Sequence, residues 1–285
     1  MAALPVPRGP GRRAVLSALA LAAAGTPLAI TQPWSHAAAK PAQPQPGGLL
    51  WHPTPGKDGL KAFAGIEADR GHLHPDRAGT YVVVEQDHWR FNISTDDRDP
   101  TGGGNDRQRT EVKGMVEAGK EVKMHNNETW QIAYEMFIPA SLHGTSRFTH
   151  IFQAKTAATN GGPWVTVSLS RNAKGEQIRF QADSTSGRPV ITTTDLDPLR
   201  ERWLRVTLTM RIGPNGSAGM TLSSAPNGQA AAKVLAEGTR ENITIPDQGD
   251  AVRPKWGIYR SIKSDPSDIL DTFLLLRKFT ATRTG

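Results

Sequence analysis

The sequence has 285 residues, no cysteine and a formal charge of +7. Without cysteine it cannot use disulfides, so its stability must come from a large packed core. Residues 1–39 carry Arg8, Arg12 and Arg13 and no acid, so the remainder has a charge of +4, which suits an acidic partner without choosing one.

The chain opens on an address. Arg8 and the pair Arg12–Arg13 precede an apolar run, Ala14–Ala24, that is too short to span a bilayer. Adjacent arginines directly before such a run match a twin-arginine export signal, and Ala37-Ala38-Ala39 offers the small residues that a signal peptidase needs. We therefore assign 1–39 to a signal peptide and expect a secreted, extracellular protein that leaves the membrane on cleavage. Twin-arginine export carries folded proteins, which agrees with a cysteine-free domain. Residues 40–48 (KPAQPQPGG) read as a linker, and residues 49–285 suffice for one large β domain.

From Leu49 onward, short alternating segments are separated by Gly, Pro, Asn and Asp, the pattern of an antiparallel all-β protein. Strands are predicted at Tyr81–Glu85, Arg107–Lys113, Thr129–Ile138, Arg147–Lys155, Trp164–Ser170, Gln177–Gln181, Arg202–Arg211, Gly219–Ser223, Lys255–Arg260 and Leu270–Thr280. In Arg202–Arg211, Leu204, Val206, Leu208 and Met210 share a core face, opposite Arg205, Thr207, Thr209 and Arg211 on a wet one. Val165, Val167 and Leu169 oppose Thr166, Ser168 and Ser170 in the same way. About ten such strands suggest two packed sheets, a sandwich or jelly roll.

Several segments carry candidate chemistry. The glycine-rich acidic loop from Asp96-Asp97-Arg98-Asp99 to Asp106 has oxygen ligands of the kind calcium takes, but Arg98 and Arg107 oppose a cation there. No metal or cofactor is expected, calcium being the alternative, and the loop reads as a mobile rim. Arg107, Arg109, Glu111 and Lys113 share one face of a strand, where arginine forks suit carboxylates. In Arg147–Lys155, alternation puts Phe148, His150, Phe152 and Ala154 on one side and Thr149, Ile151, Gln153 and Lys155 on the other. That places His150 toward the core and Gln153 and Lys155 in a groove. Trp164 and Trp203 share parity with polar residues and could stack on sugar rings. In Lys255-Trp256-Gly257-Ile258-Tyr259, Gly257 leaves open space between Lys255 and Tyr259 for a ligand.

Three of these segments, in order and broad spacing, resemble the jelly-roll polysaccharide lyases, the alginate lyase and heparin lyase I-like group. Arg109-Thr110-Glu111-Val112-Lys113 resembles the strand that binds substrate carboxylates there. Gln153-Ala154-Lys155 falls where the group carries Gln-Ile/Val-His, and Lys255-Trp256-Gly257-Ile258-Tyr259 resembles its Lys-x-Gly-x-Tyr strand, whose tyrosine is catalytic. The resemblance implies a β-jelly-roll of two antiparallel sheets with a concave substrate groove. It also implies β-elimination on a uronic-acid-containing polysaccharide, giving unsaturated uronate ends. On that reading Tyr259 is the acid and also the base, and Arg109 with Gln153 neutralises the C6 carboxylate. Lys155 stands where histidine is expected, so His150 is the alternative base, reachable through a local bulge. Arg107, Glu111, Lys113, Lys155, Arg179, Gln181 and Lys255 are the substrate-binding candidates. The expected partner is an acidic polysaccharide, with no nucleic acid, and the expected state is a monomer.

Two rivals share the architecture. A retaining glycoside hydrolase needs two close carboxylates, yet no Glu-x-Asp-x-x-Glu strand is present and Glu111 stands alone among basic neighbours. A non-catalytic, lectin-like carbohydrate-binding protein would need no lysine–glycine–tyrosine strand facing an arginine strand.

Overall fold

A computed structural model describes residues 47–101, 104–157, 162–183, 187, 189–225 and 232–285. The expected signal peptide, 1–39, and the expected linker up to residue 46 lie outside the described residues. Two large antiparallel sheets and one short helix, Pro55–Asp58, make up an all-β jelly roll. No helix among the described residues is long and apolar enough to cross a membrane.

In spatial order, the first sheet runs Val234–Ile245, Gly213–Ser224, Trp203–Arg211, Thr129–Phe137, Thr272–Arg283, His88–Ile93 and Val82–Glu85, with Leu49–Trp51 also paired on Thr272–Arg283. The second runs Val190–Asp195, Gly175–Ala182, Val165–Asn172, Thr149–Thr156, Val252–Ser261, Arg107–Lys113 and Gly65–Ala68. A separate hairpin joins Met115–Glu117 to Lys120–Val122. All ten predicted strands are present, with ends shifted by a few residues. Strands such as Gly65–Ala68, His88–Ile93 and Val234–Ile245 were not predicted.

Alternation builds the core between the sheets. Leu204, Val206, Leu208 and Met210 are fully buried, as are Val165, Val167 and Leu169 on the facing sheet. Trp256 stacks on Trp51 at 5.3 Å and meets the edge of Phe279 at 5.1 Å. Burying each side chain of this size contributes roughly 1.5–3 kcal/mol. The cluster fixes the inner face of Val252–Ser261, and hence the aim of the residues on its outer face.

Gly257, in that strand, has φ +132°, and a Cβ there would lie 2.2 Å from the Thr110 carbonyl oxygen and 2.8 Å from Glu111 Cα. The open space expected above it is therefore filled by the backbone of Arg107–Lys113. Glycine is needed because two backbones approach closely, not because a ligand does. Gly257→Ala is expected to cost about 3 kcal/mol, read as a lower urea midpoint. An unchanged midpoint would show that the paired strands can shift to admit a methyl group.

Candidate active site

The outer face of the second sheet carries an open cleft of about 530 Å³, within the range of small-ligand sites. Four strands supply most of its wall: Gly65–Ala68, Arg107–Lys113, Thr149–Thr156 and Val252–Ser261. Seven cations line it (Arg70, Arg107, Arg109, Lys113, Lys155, Arg253 and Lys255), together with Gln153 and Tyr259 and one carboxylate, Glu67.

Strand register explains the convergence. Tyr259 pairs with Arg109 on one side and with His150 on the other, and Lys255 pairs with Lys113 and Gln153. Tyr259 is the best-defined group. Its Oη accepts a hydrogen bond from Arg107 Nη1 at 3.0 Å. The Arg109 guanidinium lies 3.6 Å from its ring centroid, and Phe148 packs beside it at 5.1 Å.

His150 is placed differently from its expected side. The ladder slips where Val167 pairs with Phe152 but Ser168 pairs with His150. Ile151 and Phe152 consequently both enter the core, and His150 emerges on the same face as Gln153. Strict alternation failed because a bulge inserts one residue. His150 is 8% exposed, its Nδ1 lies 2.7 Å from Ser168 Oγ, and its ring centroid is 6.0 Å from that of Tyr259. The bulge therefore brings the alternative base next to the tyrosine.

Glu111 is corrected in the other direction. It is fully buried and does not line the cleft, and it holds the site from beneath. It accepts from Arg109 Nη1 at 2.6 Å and from Gln153 Nε2. Asp99 takes Arg109 Nε at 2.6 Å. Arg109 and Gln153, the expected carboxylate neutralisers, thus spend these donors on the protein's own carboxylates. Arg107 is freer, with 38% of its side chain exposed and only a loose ion pair to Asp106 at 3.7 Å. Lys155 is the one cleft cation with no carboxylate partner among the described residues. Burial lowers its pKa, and Lys255 and Arg109 add to the shift.

Four other candidates sit away from the cleft. Arg179 and Gln181 lie on the same sheet, on a strand separated from Thr149–Thr156 by Val165–Asn172. Trp203 is boxed in on the first sheet by Arg277 at 3.9 Å and by Phe137 at 5.9 Å. Trp164 packs against the core. Neither tryptophan lines the cleft. The face bearing Thr166, Ser168 and Ser170 is also not wet, since all three are buried.

The sequence reading missed Glu67, Asp99 as a partner of Arg109, and a buried clamp behind them. Arg260 is fully buried, and burial brings its guanidinium down to about 10. It donates to Gln108 Oε1 at 2.7 Å. Gln108 Nε2 donates to the carbonyls of Ser94 and Thr95, each at 2.9 Å, and so anchors the loop that carries Asp99. The rim loop is tied down at its base. Two of its carboxylates, Asp96 and Asp97, already face a protein cation. Arg77 donates twice to Asp96, at 3.0 and 2.9 Å, and lies 3.5 Å from Asp97. A cation thus already occupies the approach to the His74, Asp96 and Asp97 group.

A retaining hydrolase pair is not available here either, because Glu67 lines the cleft but its neighbour Glu111 is sealed.

By sequence, the chain matches no family model and no curated protein. By structure, it is similar to a variant of alginate lyase A1-II′, with a TM-score of 0.51 and 14% identity, covering 80% of this chain and 97% of that one. Endo-β-1,4-glucuronan lyase from the fungus Trichoderma reesei gives a TM-score of 0.46 at 14% identity, covering 79% and 92%. The CBM2 module of Lactobacillus casei BL23 phage J-1 evolved Dit gives 0.48 at 10% identity, covering 84% and 96%. The chain shares its fold with jelly-roll polysaccharide lyases.

Proposed function

We propose that the protein is a polysaccharide lyase that cleaves a uronic-acid-containing polysaccharide by β-elimination. The observation that carries this reading is Tyr259, whose Oη meets Arg107 and whose ring lies under Arg109 in a strongly cationic cleft. Elimination needs the C6 carboxylate neutralised, the C5 proton removed and the departing O4 protonated. Arg107 meets the carboxylate and offers a planar fork to the charge that develops on it. Tyr259, as the phenolate held by the Arg107 donor, takes the C5 proton. The C4–O4 bond breaks as the C4–C5 double bond forms, and the same phenol then protonates O4. Arg109 acts from behind the ring. His150, held by Ser168, is the second base within reach.

The test is a panel of polyglucuronate, alginate, a heparin-like chain and a neutral glucan, followed by the ultraviolet absorbance of the unsaturated uronate. Absorbance should rise with at least one acidic polymer and not with the glucan. A flat trace with every uronate would remove the proposal.

Export is part of the same proposal, since a polymer substrate is met outside the cell, and it rests on Arg12–Arg13 and Ala37-Ala38-Ala39. Changing both arginines to lysine is expected to retain the protein inside the cell. Undiminished secretion of that double variant would rule out the twin-arginine route.

A further inference from the structure

Four of the cleft cations converge on a single carboxylate. Glu67 receives Lys255 Nζ in a short contact, Lys113 Nζ at 3.2 Å, Arg70 Nη1 at 3.3 Å and Arg109 Nη1 at 3.4 Å. It pairs in register with Glu111 on the next strand, so the two carboxylates share the cleft face. Glu111 is sealed beneath the cleft floor, whereas Glu67 keeps 12% of its side chain exposed and lines the cavity. An acid whose only purpose was to hold the arginine strand together would be better sealed, as Glu111 and Asp99 are.

The cations around Glu67 are those a polyuronate would seek. A polymer with one carboxylate on each sugar entering this cleft finds Lys155 without a carboxylate partner among the described residues, but finds Lys255, Lys113 and Arg70 all gathered on Glu67. Either its carboxylate goes elsewhere, or it displaces Glu67. Lysine favours the second course, because its ammonium is a point charge on a flexible stem and can pass from one oxygen to another without the strict geometry of an arginine fork.

Building on the lyase reading, we infer that Glu67 occupies a uronate-carboxylate subsite in the empty cleft, and that a substrate carboxylate displaces it from Lys255 and Lys113. Glu67 is then an affinity-setting residue, which weakens polymer binding by the amount needed to release it. Burial alone would raise the Glu67 pKa, but Lys255, Arg109 and Lys113 outweigh it and bring it to about 2. Glu67 is therefore already ionised on these cations in the empty cleft.

The test compares the full chain carrying Tyr259→Phe, chosen to slow cleavage so that binding can be read, with the same chain also carrying Glu67→Gln. Fluorescently labelled oligoglucuronate and oligomannuronate are the probes, with free glucuronate as competitor. The glutamine variant should bind at least one oligomer about tenfold more tightly, a difference of roughly 1.4 kcal/mol, and free glucuronate should compete better. Should that variant fold poorly, Glu67→Asp keeps the charge but draws it back from the cleft, and should also tighten binding, by a smaller factor. Unchanged or weaker binding in a folded variant, or no binding of either oligomer by any of these proteins, overturns the inference. The unsaturated product formed by the unsubstituted chain separates the two ideas. Product without tighter binding sinks the placeholder alone, whereas tighter binding without product sinks the lyase reading alone.

Discussion

Tyr259→Phe is expected to give a folded protein with kcat lower by at least about a hundredfold, the usual scale for losing a general acid–base group. The substitution removes one oxygen. The ring contacts to Phe148 and the stacking of Arg109 do not involve that oxygen, so packing should survive. The bond to Arg107 would be lost, but Arg107 is partly exposed and can turn to water. Hence the melting temperature should stay close to that of the parent while turnover collapses. His150→Ala is the matching control. It empties the space between Phe148 and Ser168 and should lower stability more than it lowers turnover. If Tyr259→Phe keeps near-normal activity while His150→Ala abolishes it without unfolding, histidine is the base and the tyrosine mechanism is wrong.

Arg107→Met should lower kcat/KM by about 10²–10³-fold, the effect of removing one preorganised donor to a developing charge. The reasoning is by elimination. Arg109 already spends two donor groups on Asp99 and Glu111, and Gln153 spends its amide on Glu111. Arg107 is the arginine that both touches Tyr259 Oη and keeps exposed surface for a ligand. Arg107→Lys should rescue little, because a point charge cannot hold a carboxylate and the tyrosine oxygen in one plane. Folding should be barely affected, since no carboxylate depends closely on this side chain. A methionine variant with parental kinetics would move the neutralising role back to Arg109.

The fold was legible in the sequence wherever a strand had one apolar and one polar face. Arg202–Arg211 shows this most clearly, because its four apolar residues all proved to be buried. Where the period is disturbed, local pattern fails. Val234–Ile245 was missed because it is polar and exposed, contains Gly238, and has Asn242 at φ +57°. His150 was assigned to the core side because strict alternation has no place for the extra residue that a bulge inserts.

The site was legible in its cationic half. The even-numbered spacings among Arg107, Arg109 and Lys113, which put them on one strand face, and the position of Tyr259 were enough to bring them together. Its anionic half was not. Glu67 lies 42 positions from Arg109, and Asp99 sits in a loop whose acids suggested a metal. Ion pairs between distant segments leave no periodic trace, so the partners of an arginine strand cannot be read from the strand itself.

The most direct test of the account is the mass of the chain ends released from a cleaved polyuronate. Elimination divides the polymer without adding water, so one new end must be lighter by one water than the matching hydrolysis product, and the fragments must sum to the parent. The account predicts that pair of ends from the unsubstituted chain and their loss in Tyr259→Phe. Fragments that together exceed the parent by one water for each bond cut, with no unsaturated end, would show a hydrolase, and a polymer bound but left intact would show a carbohydrate-binding protein.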